Sequence, residues 1–157
     1  MSKFQLKNFF KAAYDLMLVF LQFFIIILHF FQWEFFPQKP IIQSSPFSYL
    51  LGILIIIIAF IIMLVSIKDL GRNLSPFPRP INNSNLVTTG IYRFTRHPMY
   101  YSLIFISIGF FVIKLSIYYL FLTISLALII KFKIALEEKY LMNKFKNYLL
   151  YKNEVKV

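Results

Sequence analysis

Tyr49-Leu50-Leu51-Gly52-Ile53-Leu54-Ile55-Ile56-Ile57-Ile58-Ala59-Phe60-Ile61-Ile62-Met63-Leu64-Val65-Ser66-Ile67 runs for nineteen residues without a charge. As a helix rising ~1.5 Å per residue, this stretch nearly crosses the roughly 30 Å hydrocarbon layer of a bilayer. The rest of the chain agrees with it. Of 157 residues, 59% are hydrophobic and 20% aromatic, and the mean hydropathy is +0.71. That is too apolar for an ordinary soluble domain.

Working outward, Leu16 to Trp33 reads as a second span, broken by Gln22 and His29, with Trp33 as an interfacial anchor. A third apolar stretch, Tyr100 to Ile130, is cut by Lys114. One continuous helix there would bury an ammonium group. The reading adopted is a tight hairpin of two shorter spans, Met99 to Ile113 and Leu115 to Ile130, with Lys114 snorkelling at the turn. Tyr118 and Tyr119 then read as an aromatic belt. The expectation is an all-α membrane protein of about four transmembrane helices, the last two a tight hairpin, forming one domain over residues 1–157.

The charge distribution supports that count. Net charge is +11, which alone would suit a nucleic-acid partner. Yet three basic residues precede the first span (Lys3, Lys7, Lys11). Five lie in the middle loop (Lys68, Arg72, Arg79, Arg93, Arg96) and seven after the last span (Lys131, Lys133, Lys139, Lys144, Lys146, Lys152, Lys156). Only Lys39 and Lys114 remain. Four spans put the first fifteen on one face and the other two opposite, the positive-inside pattern with both termini cytoplasmic. Basicity is thus explained by topology and anionic headgroups, with no nucleic-acid partner.

There are no cysteines and two histidines, His29 and His97, so no metal-ligand cluster can be drawn and a bound organic cofactor is the alternative. The basic start and apolar run resemble a secretory signal, but bulky Gln32-Trp33-Glu34-Phe35-Phe36 follows where small residues would precede cleavage. An uncleaved anchor is expected. Pro37, Pro40 and Pro46 break helix between the first two spans. The second loop, Lys68 to His97, is long and punctuated by Gly71, Pro76, Pro78, Pro80 and Gly90, so something should order it, a ligand among the candidates.

Chemistry concentrates in Leu86-Val87-Thr88-Thr89-Gly90-Ile91-Tyr92-Arg93-Phe94-Thr95-Arg96-His97-Pro98-Met99-Tyr100. Pro98 holds His97 extended and suits the first turn of a helix. The exposed N–H groups and dipole of that helix start, with Arg96, favour an anionic group. Tyr92, Tyr100 and Tyr101 offer faces that attract a cation within about 6 Å. Glu137 supplies a carboxylate if the last helix packs back on the third. Each element also has a plainer reading. Arg93 and Arg96 suit interfacial anchors, Pro98 a helix opener, and Glu137-Glu138 a solvated surface with ion pairs to Lys133, Lys139 or Lys144.

Three elements in order, Leu86-Val87 to Gly90-x-Tyr92, Arg96-His97-Pro98-x-Tyr100 and Glu137-Glu138-x-x-Leu141, resemble the isoprenylcysteine carboxyl methyltransferase and phospholipid methyltransferase family of integral membrane enzymes. The likeness covers about Gly71 to Val155. It implies a membrane-embedded, S-adenosylmethionine-dependent methyltransferase with a cytoplasmic cofactor site. It also implies that Leu86, Val87, Tyr92, His97, Pro98, Met99, Tyr100 and Glu137 hold the cofactor. Lys133 stands where the prenylcysteine enzymes have an Arg concerned with substrate, so the charge is kept and the bidentate fork lost. Arg96, His97, Lys133 and Glu138 are the candidate catalytic residues, with His97 or Glu138 as the base for an ammonium acceptor. Lys133, His29 and Gln22 are places for acceptor contacts. In the family's tail pattern Phe145, Tyr148 and Tyr151 stand, while Lys146 replaces a Gly.

The implied partner is a lipophilic small molecule or lipid from the membrane. Isoprenoid carboxylates, phospholipid amines, thiols and quinone-like phenols are all compatible acceptors, and oligomeric state is open. Two other readings stand beside this one: a sterol-reductase-like NADPH enzyme and a non-catalytic membrane scaffold. Richness in Ile, Lys, Phe and Asn points to an AT-rich prokaryotic genome and a cytoplasmic membrane.

Overall fold

The computed structural model describes residues 3–31, 40–41 and 43–156. Trp33, Lys39 and Pro37, like the rest of 32–39, lie outside the described residues. Among the described residues five α-helices follow in order: α1 (Lys3–Leu28), α2 (Pro46–Leu70), α3 (Pro98–Lys114), α4 (Ile117–Lys144) and α5 (Tyr148–Glu154). Short 3₁₀ turns occupy Gly71–Asn73 and Gly90–Arg93. Among the described residues there is no strand, only an isolated bridge between Pro40 and Ser116.

Three stretches are long and apolar enough to cross a membrane: Phe9–Leu28, Pro46–Asn73 and Ile117–Lys144. Their outward faces carry large exposed apolar residues, among them Phe20, Leu54, Ile57, Phe121 and Phe132, as lipid contact requires. The first of these begins earlier than Leu16. The expected third span is an apolar helix of 17 residues, α3, roughly 25 Å long at ~1.5 Å per residue and shorter than the other three.

Local chemistry explains the boundaries. Ser45 caps α2 reciprocally with Ser48, and Pro46 fills the first turn, where its missing N–H is not needed. The hairpin is real and turns through Leu115, held at φ +44, after which Ser116 caps α4 by accepting from Tyr118 N–H. α3 stands between α2 and α4, and α1 packs on α4. Gly52 and Gly109 let α2 and α3 approach closely: a Cβ on Gly52 would lie 2.7 Å from the Gly109 carbonyl oxygen, and one on Gly109 2.9 Å from that of Gly52.

Tyr118 and Tyr119 correct the aromatic-belt expectation. Both are buried in the core with Ile25, Leu122 and Leu126, and the Tyr118 hydroxyl donates to the Leu28 carbonyl across to α1. A hydroxyl that finds a free helix-end carbonyl is better placed inward than among headgroups. His29 is likewise satisfied within the bundle: Nδ1 meets the Ile25 carbonyl at 2.8 Å and Nε2 meets Ser107 Oγ at 2.7 Å, with Thr123 completing the network.

Candidate functional site

The loop between α2 and α3 is ordered by the protein's own side chains, not left waiting for a ligand. Asp69 Oδ2 accepts the Ile91 N–H at 2.8 Å, and Gly90, at φ +62, leaves room for that carboxylate. A Cβ there would lie 2.0 Å from Asp69 Oδ2. Arg79 pairs with buried Asp15 of α1 at 3.0 Å and lies over the Tyr140 ring. Lys144 donates to Ile81 O, Asn82 O and Ser84 Oγ. Lys133 donates to Pro76 O at 2.9 Å.

Folded this way, the loop covers a pocket whose floor is the start of α3 and the C-terminal half of α4. Its walls include Leu86, Val87, Tyr92, Arg96, His97, Met99, Tyr100, Glu137, Leu141, Phe145, Tyr148 and Tyr151. The cavity is small, about 90 Å³. Seven of the eight residues expected to hold a cofactor line this pocket, and His97 and Glu137, forty positions apart, share it. Pro98 does not line it. It is fully buried as the first residue of α3, shaping the turn that aims His97.

Glu137 and Glu138 have separate fates, which corrects the solvated-surface reading. Glu137 points into the pocket, against Tyr100 and within the field of His97 and Lys133. Glu138 turns away and is buried. Its Oε1 accepts from Arg96 Nε at 3.0 Å and Nη2 at 2.8 Å, and its Oε2 accepts from Lys152 at 2.7 Å. Arg96 also donates to the Lys152 and Val155 carbonyls, so it locks α5 onto the bundle and is no interfacial anchor. Arg93 is exposed.

Lys133 is 1% exposed and does not line the pocket. It lies behind Tyr100, 5.2 Å from the ring centre, with Gln22 Oε1 accepting from it at 2.5 Å. Gln22 and Lys133 are thus brought together, while His29 lies apart, on an apolar groove with Ile26, Phe60 and Phe110.

Three buried polar atoms of the pocket lack a hydrogen-bond partner among the described residues: His97 Nε2, Glu137 Oε2 and Tyr148 Oη. His97 Nε2 approaches Glu138 Oε1 at 3.5 Å without a well-aligned hydrogen bond. Orphaned polar atoms are costly in a protein interior unless a ligand or water meets them. Burial raises the Tyr92 and Tyr148 hydroxyls well above the usual phenol range and pushes Tyr151 up to about 12, so all three are neutral donors at pH 7. Tyr151 uses its proton on the Tyr92 carbonyl at 2.6 Å.

Asp15, Asp69 and Lys152 position this site without having been singled out from the sequence. The chain has six acidic residues against seventeen basic ones. An isolated acid in so basic and apolar a chain is itself a sign of a buried partner, and that scarcity could have marked Asp15 and Asp69.

Apolar flanks facing outward, on helices long and apolar enough to cross a bilayer, define an integral membrane protein, and a polar, partly unsatisfied pocket lies at one end of its bundle. The phospholipid methyltransferase family model matches residues 47–148, from the first turn of α2 to the start of α5, and the chain belongs to that family of membrane methyltransferases. No curated protein and no solved structure matches it. The match begins before Gly71 and so takes in α2, where the motif resemblance did not reach.

Proposed function

We propose that the chain transfers a methyl group from S-adenosylmethionine to a lipophilic acceptor entering from the bilayer. The observation that carries this reading is that His97, Glu137 and Tyr148, each with a buried polar atom that lacks a hydrogen bond, line one pocket in a methyltransferase-family chain. Hydroxyl, ammonium and ring-nitrogen groups of a nucleoside and an amino acid are suited to satisfy such atoms. The start of α3 offers its dipole to a carboxylate, and the faces of Tyr92 and Tyr100 suit a sulfonium. Leu86, Val87 and Met99 provide apolar wall. Entry of a nucleoside requires the Phe77–Pro80 and Ser84–Val87 segments to part.

S-adenosylmethionine supplies a methyl group activated on sulfur. What remains for the protein is to hold an acceptor atom in line at about 3–3.5 Å and to exclude water. An ammonium acceptor must first lose a proton, and His97 is the base in this reading, because Arg96 and Lys152 occupy Glu138. Lys133, with Gln22, is the acceptor-side cation. Isoprenoid carboxylates and phospholipid amines are the first acceptors to test.

The same reading makes 1–157 one domain crossing the membrane four times, α3 pairing with α4 through the Leu115 turn. Both termini and the pocket are then cytoplasmic, in a prokaryotic cytoplasmic membrane, as the basic residues suggest. The test is titration of S-adenosylhomocysteine into detergent-solubilised protein by calorimetry, followed by a labelled-methyl assay on lipid extract. Saturable binding and a labelled lipid are expected. Absence of binding, or binding of NADPH in its place, overturns the proposal.

A further inference from the structure

We propose that the face formed by Arg93, Phe94 and α5 lies in the headgroup layer of an anionic leaflet, docking the site's outer wall onto the membrane. Phe94, Leu149 and Leu150 are 74%, 57% and 66% exposed, although they lie outside the membrane-crossing stretches. Water is a poor solvent for three such side chains on two adjoining short elements. They adjoin because Tyr151 of α5 donates to Tyr92 O, next to Arg93 and Phe94.

Depth follows from two tethers. The Asp69 carboxylate binds the Ile91 N–H, so the Gly90–Arg93 turn sits directly at the end of α2, below lipid-facing Leu64 and Val65. Arg96, two residues before α3, holds the carbonyls of Lys152 and Val155, which fixes α5 at the same level. The face therefore lies at the level where α2 ends and α3 begins, the edge of the membrane-crossing bundle.

Charge selects the occupant. Leu150 and Arg93 share an open concavity with Lys144 and Lys146, in which Glu154 is the single acidic lining residue. Arg93 and Lys146 are exposed, with the Arg93 guanidinium 5.2 Å from the Phe94 ring centre. Apolar side chains fringed by exposed cations match the arrangement by which short interfacial helices bind anionic headgroups. Amphipathicity fits as well: Tyr148, Tyr151 and Val155 pack inward while Leu149 and Leu150 face out.

The chain has no cysteine, so one introduced thiol can be labelled cleanly. Leu150→Cys in the full chain, carrying an environment-sensitive nitrobenzoxadiazole dye, is reconstituted into phosphatidylcholine vesicles with or without phosphatidylglycerol. A blue-shifted emission, quenched by brominated lipid and stronger with phosphatidylglycerol, is expected, and Arg93→Gln with Lys146→Gln should weaken it. Water-like emission in both vesicles overturns the proposal. So does shielding that ignores both vesicle charge and the two Gln changes, which would mark a protein contact or a second copy. Leu149→Cys serves if the first variant is poorly folded. The cofactor takes no part, so failure here is separable from failure of the proposed activity.

Discussion

Arg96 and Glu138 form a buried fork, with Nε and Nη2 of the arginine 3.0 and 2.8 Å from one carboxylate oxygen. This pair joins the residue before His97 to the residue after Glu137. Two groups forty positions apart in sequence are thereby delivered to one pocket by their immediate neighbours, and Lys152 adds α5 to the same carboxylate.

Glu138→Ala should destabilise the protein by about 3–5 kcal/mol, because it leaves the buried Arg96 charge unpaired. Thermal unfolding in detergent checks this. A variant as stable as the parent would remove Glu138 from its structural role and return it to the list of candidate bases.

Glu137→Gln should leave the melting temperature near the parent's while weakening S-adenosylhomocysteine binding by about tenfold or more, the loss expected for a hydrogen bond to a charged group. The carboxylate has an orphaned oxygen and no ion-pair partner at salt-bridge distance among the described residues, so the fold does not depend on it as it does on Glu138. Calorimetry of the variant decides the matter, and unchanged affinity would contradict the proposed site.

Gly90→Val should detach the second loop. The new Cβ would collide with the Asp69 carboxylate, and φ +62 is strained for a β-branched residue at a cost of about 1–3 kcal/mol. Faster proteolysis between α2 and α3 is the expected signature, read by gel and mass spectrometry.

Gly109→Leu should separate α2 from α3, since the added side chain starts 2.9 Å from the Gly52 carbonyl oxygen and 2.5 Å from Ile56 Cγ1. Loss of folded protein on size exclusion is expected, and Gly52→Leu should behave alike. Full recovery of either would show that the close crossing is dispensable.

Lys133→Met should retain S-adenosylhomocysteine binding and lose methyl transfer, since Lys133 lies behind Tyr100 and not in the pocket wall. Calorimetry and the labelled-methyl assay on the same sample separate the two. Loss of cofactor binding instead would move Lys133 to the cofactor side.

Much of this is legible in the sequence. An uncharged run from Tyr49 to Ile67 has one low-energy solution in lipid, a helix, and Lys114 amid apolar residues has one cheap position, at a turn. Pro98 announced the start of α3. The motif residues Leu86, Val87, Tyr92, His97, Met99, Tyr100 and Glu137 do line one pocket. The belt reading of Tyr118 and Tyr119 failed because periodicity cannot tell which side of a helix another helix will cover.

Composition and order along the chain thus determined the solvent and the helices, because those depend on local hydrophobicity and backbone preference. Only the tertiary structure decided that adjacent Glu137 and Glu138 part company, one into the pocket and one onto Arg96 and Lys152. Neighbours on a helix differ by about 100° in direction, so which faces a ligand and which faces a partner depends on what packs around them.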